Sequence, residues 1–202
     1  GTVILATGAS PKKLGIPEEE TLVGRGVSYC ATCDGMFYKG KTVAVLGGGN
    51  SAAADALVLA KLCKKVYIVH RRDSLRAEAS YMKPLNETTN VEFVWNQIVD
   101  GLETGENGVT GVKLTDKLTG GKKVLPVDGV FVAIGRAPNT ALIAGQVKLE
   151  GGYIAAGEDT HTNLPGVFAA GDVRTKPLRQ IVTAAADGAV AATEAAAWLR
   201  TR

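Results

Sequence analysis

Aromatic residues make up only 5% of this 202-residue chain, histidine occurs twice, cysteine three times, and the formal net charge is only +3. Each scarcity closes off a class of function. Without aromatic residues interleaved with a basic run there is neither a stacking platform for bases nor an electrostatic footprint for a phosphodiester backbone, so nucleic acid is not expected as a partner. A sparse, odd set of cysteines is no disulfide scaffold and fits a reducing, cytoplasmic setting. The longest apolar stretches, near Ala184 and Ala195, are broken by Asp187, Gly188 and Glu194, and none approaches the ~20 apolar residues of a membrane span. What is plentiful is glycine, with 25 residues, and hydrophobic side chains, at 46%. That supply supports one large or two modest globular cores.

An internal echo organises the chain. Val3-Ile4-Leu5-Ala6-Thr7-Gly8-Ala9-Ser10-Pro11 is matched by Val130-Phe131-Val132-Ala133-Ile134-Gly135-Arg136-Ala137-Pro138, each an apolar strand, an Ala-X-Gly turn and a proline expected to halt regular structure. The second copy closes a domain opened by the glycine-rich Gly47-Gly48-Gly49, which makes Ile134 and Gly135 candidate cofactor contacts. The first copy has no opening loop, so a matching glycine loop is expected roughly 80 to 100 residues before Gly1, one compact domain away. The alternative is a short protein whose first strand merely resembles a later one.

Between the copies, Thr42 to Leu46 reads as a strand, Asn50 to about Leu62 as a helix, and Val66 to Val69 as a second strand. Val91 to Trp95, Val109 to Thr115 and Lys123 to Val127 read as further strands, the last two as a hairpin-like insertion. Leu178 to Leu199 is helical in composition, and an alanine-rich packing helix would explain it equally well.

In Gly47-X-Gly49-X-X-Ala52 the first glycine permits a tight turn, the second admits a pyrophosphate to the backbone, and the small Ala52 lets helix and strand approach. Asn50 and Ser51 open the helix, whose N-terminus faces the phosphates. A cofactor with a free ribose would call for a carboxylate about 20 residues beyond such a loop. Here stand His70, Arg71 and Arg72, with Arg76 one turn on. Guanidinium forks suit a ribose 2′-phosphate, which makes NADPH the expected dinucleotide. A solvated basic turn is the alternative, and His70 reads as a packing or hydrogen-bonding residue rather than an acid–base catalyst.

Shortly before the glycine loop lies Cys30-Ala31-Thr32-Cys33, whose spacing permits a small disulfide ring. A zinc site would need ligands from Cys63, His70 and His161, at spacings unlike paired knuckles. A thioredoxin-type domain would place the pair at a helix start in a small fold without a glycine loop, which does not fit the residues after Asp34. A structural, inert pair remains open. Asp34 is the nearest candidate acid, or a turn former in Cys33-Asp34-Gly35. Cys63, in an apolar helix, reads as a core residue.

Cys30-Ala31-Thr32-Cys33-Asp34-Gly35, Gly47-Gly48-Gly49-Asn50-Ser51-Ala52, His70-Arg71-Arg72-Asp73 and Gly166-Val167-Phe168-Ala169-Ala170-Gly171-Asp172-Val173 stand in the order seen in low-molecular-weight thioredoxin reductases, and over essentially its whole length the chain resembles that family. The resemblance implies an α/β protein of two three-layer, Rossmann-like domains. Residues 13–139 would form a complete NADPH domain carrying the redox cysteines, and residues 1–12 with 140–202 an incomplete FAD domain that lacks its glycine loop. It places Thr7 and Gly8 beneath the FAD, Gly171 and Asp172 at its ribityl chain, and Arg179, Gln180 and Ile181 near its ring. It further implies hydride passing from NADPH to flavin, then to the Cys30–Cys33 disulfide and on to thioredoxin. Cys33 would face the flavin and Cys30 would attack the partner, in a homodimer whose domains rotate about hinges near Pro11–Gly15 and Pro138–Ala141. The flavoprotein subunit of alkyl hydroperoxide reductase resembles the same regions. A third possibility is an NADPH-binding module without turnover.

Overall fold

A computed structural model describes residues 1–201. Strands β1 (Val3–Leu5), β2 (Ala9–Pro11) and β3 (Val27–Ser28) precede a one-turn helix α1 (Ala31–Asp34), then β4 (Thr42–Gly47), α2 (Asn50–Ala60), β5 (Lys65–Val69), α3 (Ala79–Glu87) and β6 (Val91–Val94). Three strands, β7 (Gln97–Gly105), β8 (Gly108–Asp116) and β9 (Lys122–Pro126), lead to β10 (Gly129–Ala133). Short strands β11 (Arg136–Pro138), β12 (Leu149–Glu150), β13 (Tyr153–Ile154) and β14 (Val167–Ala169) come before the 20-residue α4 (Ile181–Arg200). They form two units: Lys12–Gly135, and Gly1–Pro11 with the chain from Arg136 onward.

The Lys12–Gly135 unit is built on a parallel sheet in the order β3-β10-β4-β5-β6. A parallel strand is covered on both faces, which requires the unbroken apolar run of β4 rather than alternation with polar residues. Because successive side chains point to opposite faces, Val43 and Val45 serve one core and Ala44 and Leu46 another, and all four are almost fully buried. On the first face α2 packs through Ala52, Ala53 and Ala56, whose small side chains let the helix lie close. On the second, Leu102, Val112 and Leu114 of the antiparallel sheet β7-β8-β9 close the core. This is the expected three-layer, Rossmann-like α/β arrangement.

Several local expectations give way. The insertion is a three-stranded sheet rather than a hairpin, because β7 pairs with β8 through two register irregularities, between Val99 and Gly101 and between Glu103 and Thr104, that spoil its alternation. Helix α3 carries Pro84 inside it and no side-chain cap, so neither start nor stop signal announces it. Helix α2 ends at Ala60, before Lys61 and Leu62.

In the other unit β1 pairs in parallel with β14, setting Val3, Ile4 and Leu5 beside Val167, Phe168 and Ala169. Helix α4 packs Ala191 and Ala195 against Phe168 and Ala170. The internal echo is structural at its turns: Gly8 and Gly135 take φ of +72° and +113°. Pro11 and Pro138 are the last residues of β2 and β11, so each ends its strand as expected, and the two strands pair antiparallel as a two-stranded ribbon where a missing N–H is tolerated.

Candidate functional site

The glycine loop at the end of β4 is shaped by its neighbours. A Cβ on Gly47 would strike the Ala133 carbonyl oxygen and lie 2.9 Å from the Ala52 methyl, and one on Gly48 would enter the His70 ring, whereas Gly49 faces open space. The loop is therefore pressed down on two sides and bare on the third, beside a cleft of about 1030 Å³. Gly47, Gly49, Asn50 and Ser51 line one wall, His70, Arg71, Arg72 and Arg76 another, and Ile134 and Gly135 a third. Ala52 lies beneath the loop, fully buried.

Hydrogen bonds tie loop to basic turn. The Arg76 N–H donates to the Gly48 carbonyl at 2.6 Å. Asn50 donates to the Glu78 carboxylate at 2.8 Å and accepts the Glu78 N–H at 2.9 Å. The His70 ring is buried under the loop; burial, then the charges of Arg71, Arg72 and Arg76, hold its pKa below the usual histidine value despite a hydrogen bond with the Gly47 backbone. It buttresses the loop, with Nε2 lacking a hydrogen-bond partner. Sequence reasoning missed Gln97, Ile98, Val99 and Lys117, which also line the cleft. Gln97, Ile98 and Val99 come from β7 and Lys117 from the loop after β8, where nothing in the local pattern points to a ligand.

Cys30 and Cys33 form a disulfide. Cys30 is the N-cap of α1 in extended conformation, and its Sγ accepts the Cys33 N–H at 3.2 Å. The pair thus does sit at a helix start after a short strand, as in a thioredoxin-type arrangement; the helix is one turn long and the surrounding unit is the larger one holding the glycine loop. Cys33 is exposed and Cys30 half-buried. The buried Ser28 hydroxyl donates to Asp34 Oδ2 at 2.6 Å and accepts the Cys30 N–H at 3.1 Å, so Asp34 anchors the turn through Ser28. Neither cysteine is among the residues lining the cleft. Cys63 is free and buried, and burial pushes its thiol up to about 11. Among the described residues no group of His, Cys, Asp and Glu could hold a metal ion.

In the other unit the Thr7 hydroxyl donates to the Asn139 carbonyl at 2.7 Å, and the Asn139 side chain donates to the Thr7 carbonyl at 2.8 Å, fixing the turn at Gly8. Gly171 takes φ of +77° and gives its N–H to Asp187 at 2.8 Å. Beside it, Asp172 has a buried Oδ1 without a hydrogen-bond partner, while Oδ2 lies 3.8 Å from Arg136. The Arg179 guanidinium stacks 4.0 Å above the Tyr153 ring. Gln180 and Thr183 form a capping box at the start of α4, leaving Ile181 90% exposed. No motif announced the buried ion network beneath: Asp187 accepts from Arg174 Nε and Nη2 at 2.7 and 2.6 Å and from Lys176 at 2.7 Å.

The family model for pyridine nucleotide-disulphide oxidoreductases matches residues 1–188. The chain belongs to the pyridine nucleotide-disulphide oxidoreductase family. Among other members, a thioredoxin reductase of Listeria innocua is 48% identical over 190 residues, covering 94% of this chain and 60% of its own length. A crystal structure of thioredoxin reductase from Streptococcus pyogenes superposes with a TM-score of 0.92 at 39% identity, covering all of this chain and 66% of that one. For the thioredoxin reductase of Giardia duodenalis the TM-score is 0.90 at 34% identity, with 98% of this chain and 66% of that chain covered. The chain therefore spans less than two thirds of the length of these oxidoreductases. No helix among its described residues is long and apolar enough to cross a membrane.

Proposed function

We propose that this chain carries the nicotinamide site and the redox disulfide of an NADPH-dependent thioredoxin-disulfide reductase. The observation that carries the proposal is the presence, in one unit, of a helix-capping disulfide and a glycine-walled cleft rich in cations, with the cysteines outside the cleft wall. A hydride donor in that cleft and a disulfide elsewhere on the same unit need an intermediary to pass electrons between them. A flavin suits the other unit, where the buried, unpartnered Oδ1 of Asp172 is an acceptor prepared for a hydroxyl donor. NADPH held in the cleft would supply a hydride, and FAD held by the other unit would supply the means of relaying an electron pair to a disulfide.

The residues then divide the work. Gly49 exposes backbone to the pyrophosphate at the start of α2, Asn50 and Ser51 flank it, and Arg71, Arg72 and Arg76 take a 2′-phosphate. Ile134 and Gly135 wall the cleft near the end of β10. Thr7, Gly8, Gly171 and Asp172 would hold the flavin, with Arg179, Gln180 and Ile181 at the start of α4. Two electrons and two protons open the Cys30–Cys33 bond; Cys30 then attacks the disulfide of thioredoxin, and Cys33 displaces the resulting mixed disulfide, returning the pair to its oxidised state. The Cys33 N–H directed at Cys30 Sγ favours thiolate there. Asp34, held by Ser28, is the proposed proton donor. The reading carries a homodimer and a cytoplasmic setting with it. Relatives named thioredoxin reductase favour this function over alkyl hydroperoxide reduction.

The test uses the FAD-loaded protein at the full length of its relatives. Cys33→Ser abolishes NADPH-dependent thiol formation on thioredoxin while NADPH still bleaches the flavin. Loss of bleaching as well, with unchanged thermal melting, contradicts the assignment.

A further inference from the structure

We propose that Lys117, which no part of the basic turn supplies, is a fourth cation of the dinucleotide site and strengthens selection of a ribose 2′-phosphate; the proposal rests on the NADPH reading above. Lys117 lies in the loop joining β8 to β9, yet it lines the same cleft as Arg71, Arg72 and Arg76.

Two chains of hydrogen bonds hold it there. The Asn96 N–H donates to the Arg72 carbonyl at 3.2 Å, and the Lys117 N–H donates to the Asn96 carbonyl at 2.7 Å. Asn96 serves both because it adopts the left-handed conformation, with φ of +56°. In parallel, the Gln97 N–H donates to the His70 carbonyl at 3.0 Å, and its side chain donates to Asp116 Oδ2 at 2.9 Å. The loop of Lys117 is thereby fastened to both ends of the His70–Arg72 turn. In a dinucleotide fold that turn follows the second strand and meets the adenosine ribose, whereas the glycine loop meets the pyrophosphate.

The charge of Lys117 is kept available. Its neighbour Asp116 is occupied, since Oδ1 accepts the Leu118 and Thr119 N–H groups at 2.9 Å each and Oδ2 accepts Gln97. Those contacts, the Thr119 and Leu118 amides first and Gln97 after them, hold its carboxyl below the usual range. Among the described residues no carboxylate pairs with Lys117, Arg71, Arg72 or Arg76. The one acid in the cleft wall, Glu78, is bound by Asn50. Four cations and one carboxylate line this cleft, an excess of positive charge that a 2′-phosphate dianion would answer and a free ribose hydroxyl would not.

Titration of the chain with 2′,5′-ADP and with 5′-AMP, which lacks the 2′-phosphate, tests this. The unaltered chain binds 2′,5′-ADP more tightly. Lys117→Gln weakens 2′,5′-ADP by about three- to fivefold, the scale of one solvent-accessible charge pair, and leaves 5′-AMP unchanged, while Lys117→Arg keeps the preference. Equal weakening of both probes, or of neither, overturns the role of Lys117 and leaves the NADPH reading standing. An unaltered chain that shows no preference for 2′,5′-ADP overturns both.

Discussion

Replacing Asp187 by alanine should unfold the unit containing α4 well before the rest of the chain. Asp187 and Arg174 are almost wholly buried, with side chains 6% and 1% exposed, and Lys176 beside them is 5% exposed. The Asp187 carboxylate accepts four donors: the Gly171 N–H, two from Arg174 and one from Lys176. Removing it leaves the guanidinium with carbonyls of Ala156 and Thr175 and with Glu158, whose side chain is 88% exposed and already partly engaged with water. Breaking a buried pair from one side costs about 3–5 kcal/mol, because the surviving charge stays in a medium that cannot solvate it. For a domain of roughly 60–100 residues each kcal/mol shifts the midpoint by about 4–8 °C, so Asp187→Ala should lower it by at least about 12 °C. Differential scanning calorimetry would resolve this as an earlier transition. Joint replacement, Asp187→Leu with Arg174→Met and Lys176→Met, should recover much of the loss, since it removes all three buried charges together. A single variant melting within about 2 °C of the parent, well under the shift for 1 kcal/mol, would refute the reasoning.

The same carboxylate sets an acid dependence. Burial opposes its charge, but hydrogen bonds from Arg174, Lys176 and Gly171 outweigh that and hold it well below the usual carboxylate range. A depressed folded value means stability that is fully present above an unfolded aspartate's ~3.9 and drains away as pH falls through the folded value. Denaturant melts between pH 7 and pH 2 should show this loss in the parent and not in Asp187→Asn. At the cleft, Gly48→Ala should weaken NADPH binding at least tenfold by forcing the His70 ring out from under the loop, and adding His70→Ala should restore part of it; additive losses in calorimetric titration would count against this steric coupling. Cys63, buried with its thiol raised to about 11, should stay silent while the reduced Cys30 and Cys33 react with a disulfide reagent at pH 8; three fast thiols per native chain would be the contrary result.

The parallel sheet was legible because strands covered on both faces need uninterrupted apolar runs, as in Val43 to Leu46. The glycine loop was legible because a tight turn between strand and helix, closed on Ala133 and Ala52, leaves no room for a side chain at Gly47. The antiparallel layer was not. Its first strand carries Asp100, Gly101 and Glu103, and its bulges shift the alternation that would reveal it. Pro84 hid α3, since a proline inside a short helix reads locally as a break. The start of α1 escaped notice because a helix of four residues has no periodicity to detect. Lys117 and the Asp187 network share another cause: each depends on partners beyond the reach of helix or strand spacing, and a single charged residue looks the same in a sequence whether it meets water or a buried counter-ion.

The Lys12 N–H donates to the Gly135 carbonyl at 2.9 Å, and just outside them Pro11 is the register partner of Arg136. The larger unit therefore begins and ends at one point, like a bead whose thread enters and leaves by the same hole. Such a cassette can be spliced into a host loop without stretching either end, and removing it would leave two strands close enough for a tight turn to rejoin.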